Sequence, residues 1–104
     1  RQQADHIPVK LRAVGCHMVA GPGDDSFAFT ADEIELLARM EHARWVADRV
    51  LAGWKPGPKD RETRRSPHLV GWDELEEFVR ELDREPMRHI PALLARIGMH
   101  VERL

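Results

Sequence analysis

The chain has 104 residues, 42% of them hydrophobic and 33% charged, with 16 Lys and Arg against 18 Asp and Glu for a formal net charge of -2. That length suits one domain able to bury its own core without a metal or a disulfide. The composition excludes a collagen-like or disordered chain. The near-neutral balance gives no bulk electrostatic reason to expect nucleic acid or an anionic membrane as a partner. Arg outnumbers Lys 13 to 3, a bias that GC-rich coding explains at least as well as phosphate recognition does. Cys16 is the only cysteine, so no internal disulfide forms, and the expectation is a reducing, cytoplasmic compartment. No apolar run approaches the roughly 18 residues that span a bilayer, so membrane insertion is not expected. The polar start does not read as a signal peptide. With no initial Met, the chain is expected to be a piece of a larger protein.

Val9–Val14 alternates apolar and basic residues, the period of a half-buried strand, and His17-Met18-Val19 extends it past Gly15. Gly21-Pro22-Gly23-Asp24-Asp25 marks a turn. A long helix follows. Thr30 and Glu33 have capping-box spacing, Asp32, Glu33 and Glu35 suit the positive end of the helix dipole, and Gly53 stands as a C′ glycine. At 100° per residue, Leu36, Leu37, Met40, Ala43, Ala47, Val50 and Leu51 form one broad apolar face. Ile34, Ala38 and Trp45 form a second stripe, flanked by Glu41, His42 and Arg49.

From Trp54 to His68 three prolines, a glycine and seven charges give no periodic face. A loop of this length is commonly either functional or disordered, and Trp54 with Pro56-Gly57-Pro58 argues for order. Asp73 is expected to cap a helix through Leu75, Phe78, Val79 and Leu82. Pro86 suits the first turn of a third helix, which would carry Ile90, Leu93, Leu94 and Ile97 and end at Gly98, with Pro91 delaying or kinking it. The tail, Met99 to Leu104, alternates as a strand and is expected to pair with Val9–Val14. No internal repeat is visible.

Several of these residues form a pattern. His42-Ala43-Arg44-Trp45 lies on the long helix, and Gly53-Trp54-Lys55-Pro56-Gly57-Pro58-Lys59-Asp60 follows directly. Arg64-Arg65-Ser66-Pro67-His68-Leu69-Val70, Trp72-Asp73-Glu74-Leu75 and Ile90-Pro91-Ala92-Leu93-Leu94 complete it. From about Ile34 to Leu104 this order resembles the Ry domain, the repeat first described in ryanodine receptors and also found as single copies in bacterial proteins. Two positions depart from the family pattern. Its Glu after the His is Ala43 here, leaving Glu41 as the nearby carboxylate, and its His-Pro appears as Ser66-Pro67 with His68 beyond the proline. The resemblance implies a small, mainly helical domain with a short strand element and no enzymatic chemistry. It implies a regulatory, ligand-sensing or assembly role, sometimes beside nucleotide-binding domains linked to potassium uptake, and a homodimer as one arrangement.

Trp45, Trp54 and Trp72 are first of all core candidates in a chain without Tyr, but Trp54, at the mouth of the loop beside Lys55, is placed to stack on a planar ligand. Lys59, Arg61, Arg64 and Arg65 read either as a solvated loop face or as an anion grip. No Walker-type GxxxxGK[ST] spacing is present. His42 is most simply a satisfied structural histidine. His6, His17, His42, His68, His89 and His100 show no metal-ligand spacing, and Cys16 and Ser26 have no visible base.

The resulting expectation is a mainly α fold of about three helices with a small terminal β element. Residues 1–29 would be an N-terminal strand and loop and residues 30–104 the Ry-like helical part. The function expected is that of a non-enzymatic regulatory or ligand-sensing module of a larger cytoplasmic protein, tied to ion transport or nucleotide signalling. The ligand set is Trp54, Lys59, Asp60, Arg64, Arg65, His42 and Trp45, with no catalytic residue, metal or cofactor. The partners are neighbouring domains of the parent, a second copy, and an anionic small molecule or nucleotide. The alternative is an assembly or dimerisation module without a small ligand.

Overall fold

The computed structural model describes residues 2–23 and 26–104, with side chains from Ile7 onward. Asp24 and Asp25 of the expected turn lie outside the described residues. The fold is mainly α. Helix α1 (Gln2–Ala13) leads into strand β1 (Cys16–Ala20), and the long α2 (Ala31–Leu51) follows. The short strands β2 (Lys55–Pro56) and β3 (Arg65–Ser66) precede a 3-10 turn (Trp72–Glu74). Then come α3 (Glu77–Arg88), α4 (Ile90–Ala95) and β4 (Met99–Arg103).

The N-terminal expectation is corrected at one point: Val9–Val14 is not a strand, because the chain is helical through Ala13. Its alternation survives as a helical stripe, with Ile7, Lys10 and Leu11 buried at i, i+3 and i+4. The tail does pair at the N-terminal end, but with β1: β1 and β4 run antiparallel with Met18 opposite Val101 and Cys16 opposite Arg103. Cys16 and Val101 point inward from this ribbon into the core. Burial raises the Cys16 thiol pKa above its ordinary value, with Glu33 adding to the rise.

Helix α2 starts as its sequence demands. Thr30 Oγ1 accepts from the Glu33 amide at 3.1 Å, and Glu33 Oε1 accepts from the Thr30 amide at 2.8 Å. The face it buries is the second of the two apolar stripes together with Leu37 from the edge of the first. Ile34, Leu37, Ala38, Glu41 and His42 are buried, whereas Leu36, Val50 and Leu51 are 41%, 56% and 86% exposed. The stripe with two polar members wins because both find partners there. Lys10 Nζ sits 3.0 Å from Glu41 Oε1, and both side chains are nearly solvent-free. On the other side of the carboxylate lies the Arg44 guanidinium. Burial pushes the Glu41 carboxyl up, but the Arg44 and Lys10 cations outweigh it and hold the pKa below the usual range. His42 Nε2 lies 2.7 Å from the Val70 carbonyl.

Beyond the loop, Asp73 belongs to the 3-10 turn, and α3 begins at Glu77 with no side-chain cap. Leu75 reaches the core from the extended link, and Val79 and Met87 do so from α3, while Phe78 and Leu82 are 64% and 66% exposed. Pro86 lies inside α3 rather than at the start of a new helix. The break falls at His89 because Pro91 has no N–H to give the Met87 carbonyl, so α4 restarts with Pro91 in its first turn. Ile90 and Leu94 of α4 are buried.

Removing one member of a desolvated ion pair strands the other. Glu41→Ala, which leaves Lys10 buried opposite an empty space, is expected to cost about 3–5 kcal/mol. Urea unfolding of the two proteins measures it.

Candidate functional site

The C-terminal end of α2 builds a stack of flat groups. Gly53, at φ 89°, allows the chain to turn back there. The Gly53 amide bonds the Val50 carbonyl at 3.0 Å and the Trp54 amide bonds the Arg49 carbonyl at 2.9 Å, the two bonds of a Schellman cap. The cap brings the Trp54 indole over the last turn. Arg49 Cζ lies 5.2 Å from the Trp54 ring centre and 5.4 Å from that of Trp45. Trp45 is stacked on His42 at 5.9 Å with 22° between planes, and His42 meets Trp72 at 6.1 Å. Positions 42, 45 and 49 share one helix face, so the row Trp72, His42, Trp45, Arg49, Trp54 runs from the core out to the loop.

The 54–68 segment is ordered by backbone pairing. Strands β2 and β3 are parallel, with Lys55 opposite Arg65 and Pro56 opposite Ser66. Asp60 and Arg65 exchange backbone hydrogen bonds at 3.1 and 2.8 Å. The Asp60 carboxylate accepts from the amides of Glu62 and Thr63; a hydrogen bond from the Thr63 side chain first, and then these amide bonds, hold its pKa below the usual range. Asp60 thus serves the turn itself. Arg64 is the one non-glycine at positive φ among the described residues, at 56°, and its guanidinium donates to the Ala52 carbonyl at 2.7 Å, closing the end of α2. Lys55, Lys59 and Arg65 carry exposed side chains. Of the seven sequence-derived site residues, the structure therefore joins Trp45, Trp54 and His42 in one stack through Arg49. It ties Asp60 and Arg64 into the loop, and it presents Lys59 and Arg65 to solvent.

Asp83 of α3 faces the stack from below. Its carboxylate lies 3.8 Å from His42 Nδ1. Burial raises its pKa, against the lowering pull of His42 and His68 and with Glu41 adding to the rise.

Sequence reasoning missed a second region. A cleft of about 1100 Å³ opens at the other end of α2, walled by Phe27, Phe29, Ile34 and Ala92 and edged by Arg84, Arg88 and His100. Glu35 and Arg49 mark the two ends, about 21 Å apart along the helix. Glu35 accepts from Trp72 Nε1 and from Arg84 Nε, both at 2.8 Å, and Arg84, which also pairs with Glu77, is the first cause of its lowered pKa. The i, i+4 spacing of Arg80, Arg84 and Arg88 was the only sign of a guanidinium row on α3; nothing local could show that α4 and β4 fold against it. Among the described residues no group of three or more His, Cys, Asp and Glu side chains converges as a metal site, and no helix is long and apolar enough to cross a membrane.

Helices α2 to α4, the capped loop and the returning strand define a small α-rich module. The family model for the RyR domain matches residues 30–103. The chain belongs to the RyR domain family.

On the cleft's edge, His100 Nε2 faces Glu102 at 2.7 Å and Nδ1 faces the Gly21 carbonyl at 2.8 Å. Two acceptors favour the doubly protonated ring, so Glu102 first and Gly21 second raise its pKa. A raised folded value stabilises the fold below the ordinary histidine pKa and is lost as pH rises through the folded value. The native protein is therefore expected to exceed His100→Gln in thermal stability by a margin widest below about pH 6.5 and shrinking above it. Unfolding curves of both proteins across that range measure the margin.

Proposed function

We propose that this RyR domain is a non-enzymatic regulatory module of a larger cytoplasmic protein and that it senses an anionic small molecule, in a parent concerned with ion transport or nucleotide signalling. The observation that supports this reading is the stack at the end of α2. Two half-buried indoles flank a guanidinium, and the next segment of chain is a stiff loop bearing the exposed cations Lys55, Lys59 and Arg65. Aromatic faces supply area at low entropic cost, and the cations supply charge recognition. The flat groups gathered there, two indoles, an imidazole and a guanidinium, suit the holding of a planar ligand. Binding would restrain the loop and shift the parent between two states, to the extent that the ligand prefers one of them.

A second reading, assembly, draws on a different observation. Leu36, Met40, Ala43, Ala47 and Val50 repeat at alternating spacings of four and three along the outward side of α2, the spacing of a helix–helix seam. A second copy or a neighbouring domain of the parent would cover it.

Calorimetry against a panel of mononucleotides and dinucleotides tests the first reading. Binding by at least one member, weakened about tenfold or more in Trp54→Ala, is expected. Absence of heat with every member, together with concentration-dependent dimerisation abolished by Leu36→Glu in sedimentation, would favour assembly instead.

A further inference from the structure

Arg49 is the one guanidinium among the described residues that lies over two indole rings. Arg44, Arg84 and Arg88 each sit on carboxylates. Among the described residues Arg49 makes no ion pair; its contacts are the faces of Trp45 and Trp54. It is also exposed, so it can leave without desolvation cost. The two indoles do not depend on it for their positions. Trp54 is set by the backbone bonds of the helix cap, and Trp45 by its stack on His42, which is itself held by the Val70 carbonyl. A flat, charged group thus rests over two prepared aromatic faces, with its charge unpaired.

We infer, building on the sensing role proposed above, that Arg49 is a placeholder and that the place it keeps is for the ring of a nucleotide. On binding, the base stacks on Trp45 and Trp54 where the guanidinium lay. Arg49 swings outward and its fork takes the phosphate as a bidentate partner. Each part of the exchange is downhill for a chemical reason. A base offers two indoles a larger and flatter contact than a guanidinium does, while an exposed cation–π contact is weak. The displaced cation gains the counter-charge that it lacks in the free protein. Lys55, next to Trp54 in sequence, and Arg65, its partner across the β2–β3 pair, carry exposed side chains on the loop that follows. A ligand with a phosphate but no ring would not displace Arg49, and one with a ring but no phosphate would have to displace it without compensation.

The test compares adenosine 5′-monophosphate, adenosine and ribose 5-phosphate by calorimetry and by quenching of indole fluorescence, on native protein, Arg49→Ala and Arg49→Lys. The native protein is expected to bind the mononucleotide at least about tenfold more tightly than either fragment. In Arg49→Ala the two effects separate. Adenosine should bind about five- to thirtyfold more tightly because the incumbent is gone, and the advantage of the mononucleotide over adenosine should fall to about twofold. Arg49→Lys, which keeps the charge but not the fork, should restore part of that advantage. If Arg49→Ala weakens adenosine and mononucleotide alike, Arg49 props the indoles and the placeholder idea is wrong, while the sensing role stands. If ribose 5-phosphate binds as well as the mononucleotide, the ring slot is wrong and only an anion site remains. If the native protein binds none of the three and no member of the wider panel, the sensing role itself fails.

Discussion

Glu41 and His42 sit side by side at the middle of the buried face of α2, and most of the architecture can be traced to satisfying them. A carboxylate and an imidazole withdrawn from water each need partners, because an unpaired buried polar group costs more than a hydrogen bond returns. Lys10 meets Glu41 from α1, Val70 meets His42 from the link before the 3-10 turn, and Asp83 approaches His42 from α3. Three separate stretches of chain are thereby brought to one turn of one helix. The apolar contacts around them, from Leu11, Leu37, Trp72 and Val79, add the bulk of the burial but are less selective about register. Polar pairs inside an apolar shell select one docking geometry among several that hydrophobic burial alone would allow.

The same helix transmits that order to its exposed end. His42 stacks on Trp45, the helix cap brings Trp54 back over the last turn, and Arg49 lies over both indoles. The Schellman bonds and the Arg64 contact to Ala52 close the helix and start the loop in a single direction. The loop then needs little core of its own. Its stiffness comes from a two-residue parallel pair, an acidic turn at Asp60 and the prolines at 56 and 58. A surface of this kind is rigid in its walls and free in its cations, a useful combination where a ligand has to be recognised and the result passed on.

The two ends of α2 are chemically different. Near Glu35 the guanidinium groups of α3 are already matched by carboxylates, so the large cleft there has apolar walls and a neutralised rim. Among the described residues no carboxylate pairs with Arg49, and the rings are in reach. The large cleft thus has the paired guanidinium groups, and the Arg49 end has one held only by ring contacts among the described residues.

Much was readable from residue order alone. The capping box at Thr30, the closing role of Gly53, the ordered character of the proline-rich segment and the strand nature of the tail all follow from interactions spanning a few residues, which local spacing encodes directly. So did the pairing of Trp45, Trp54 and His42 with one region, since they lie on a single helix face and the turn that ends it. What residue order left open were choices between faces and partners. Val9–Val14 has an alternation that a strand and a helix both accommodate; in the structure the helix seats Ile7 and Leu11 in the core and brings Lys10 to Glu41. Leu36 to Leu51 carries more apolar area than the stripe that is buried, yet it faces outward, because burial goes to the stripe whose polar members have partners from distant segments. Arg49 was marked as a flank of the second stripe, beside His42. Its position over two indoles depends on how the chain returns after Gly53, and the cleft at the far end depends on α4 and β4 folding against α3. Contacts between residues far apart in the chain have no short-range signature, so tertiary packing alone assigned them.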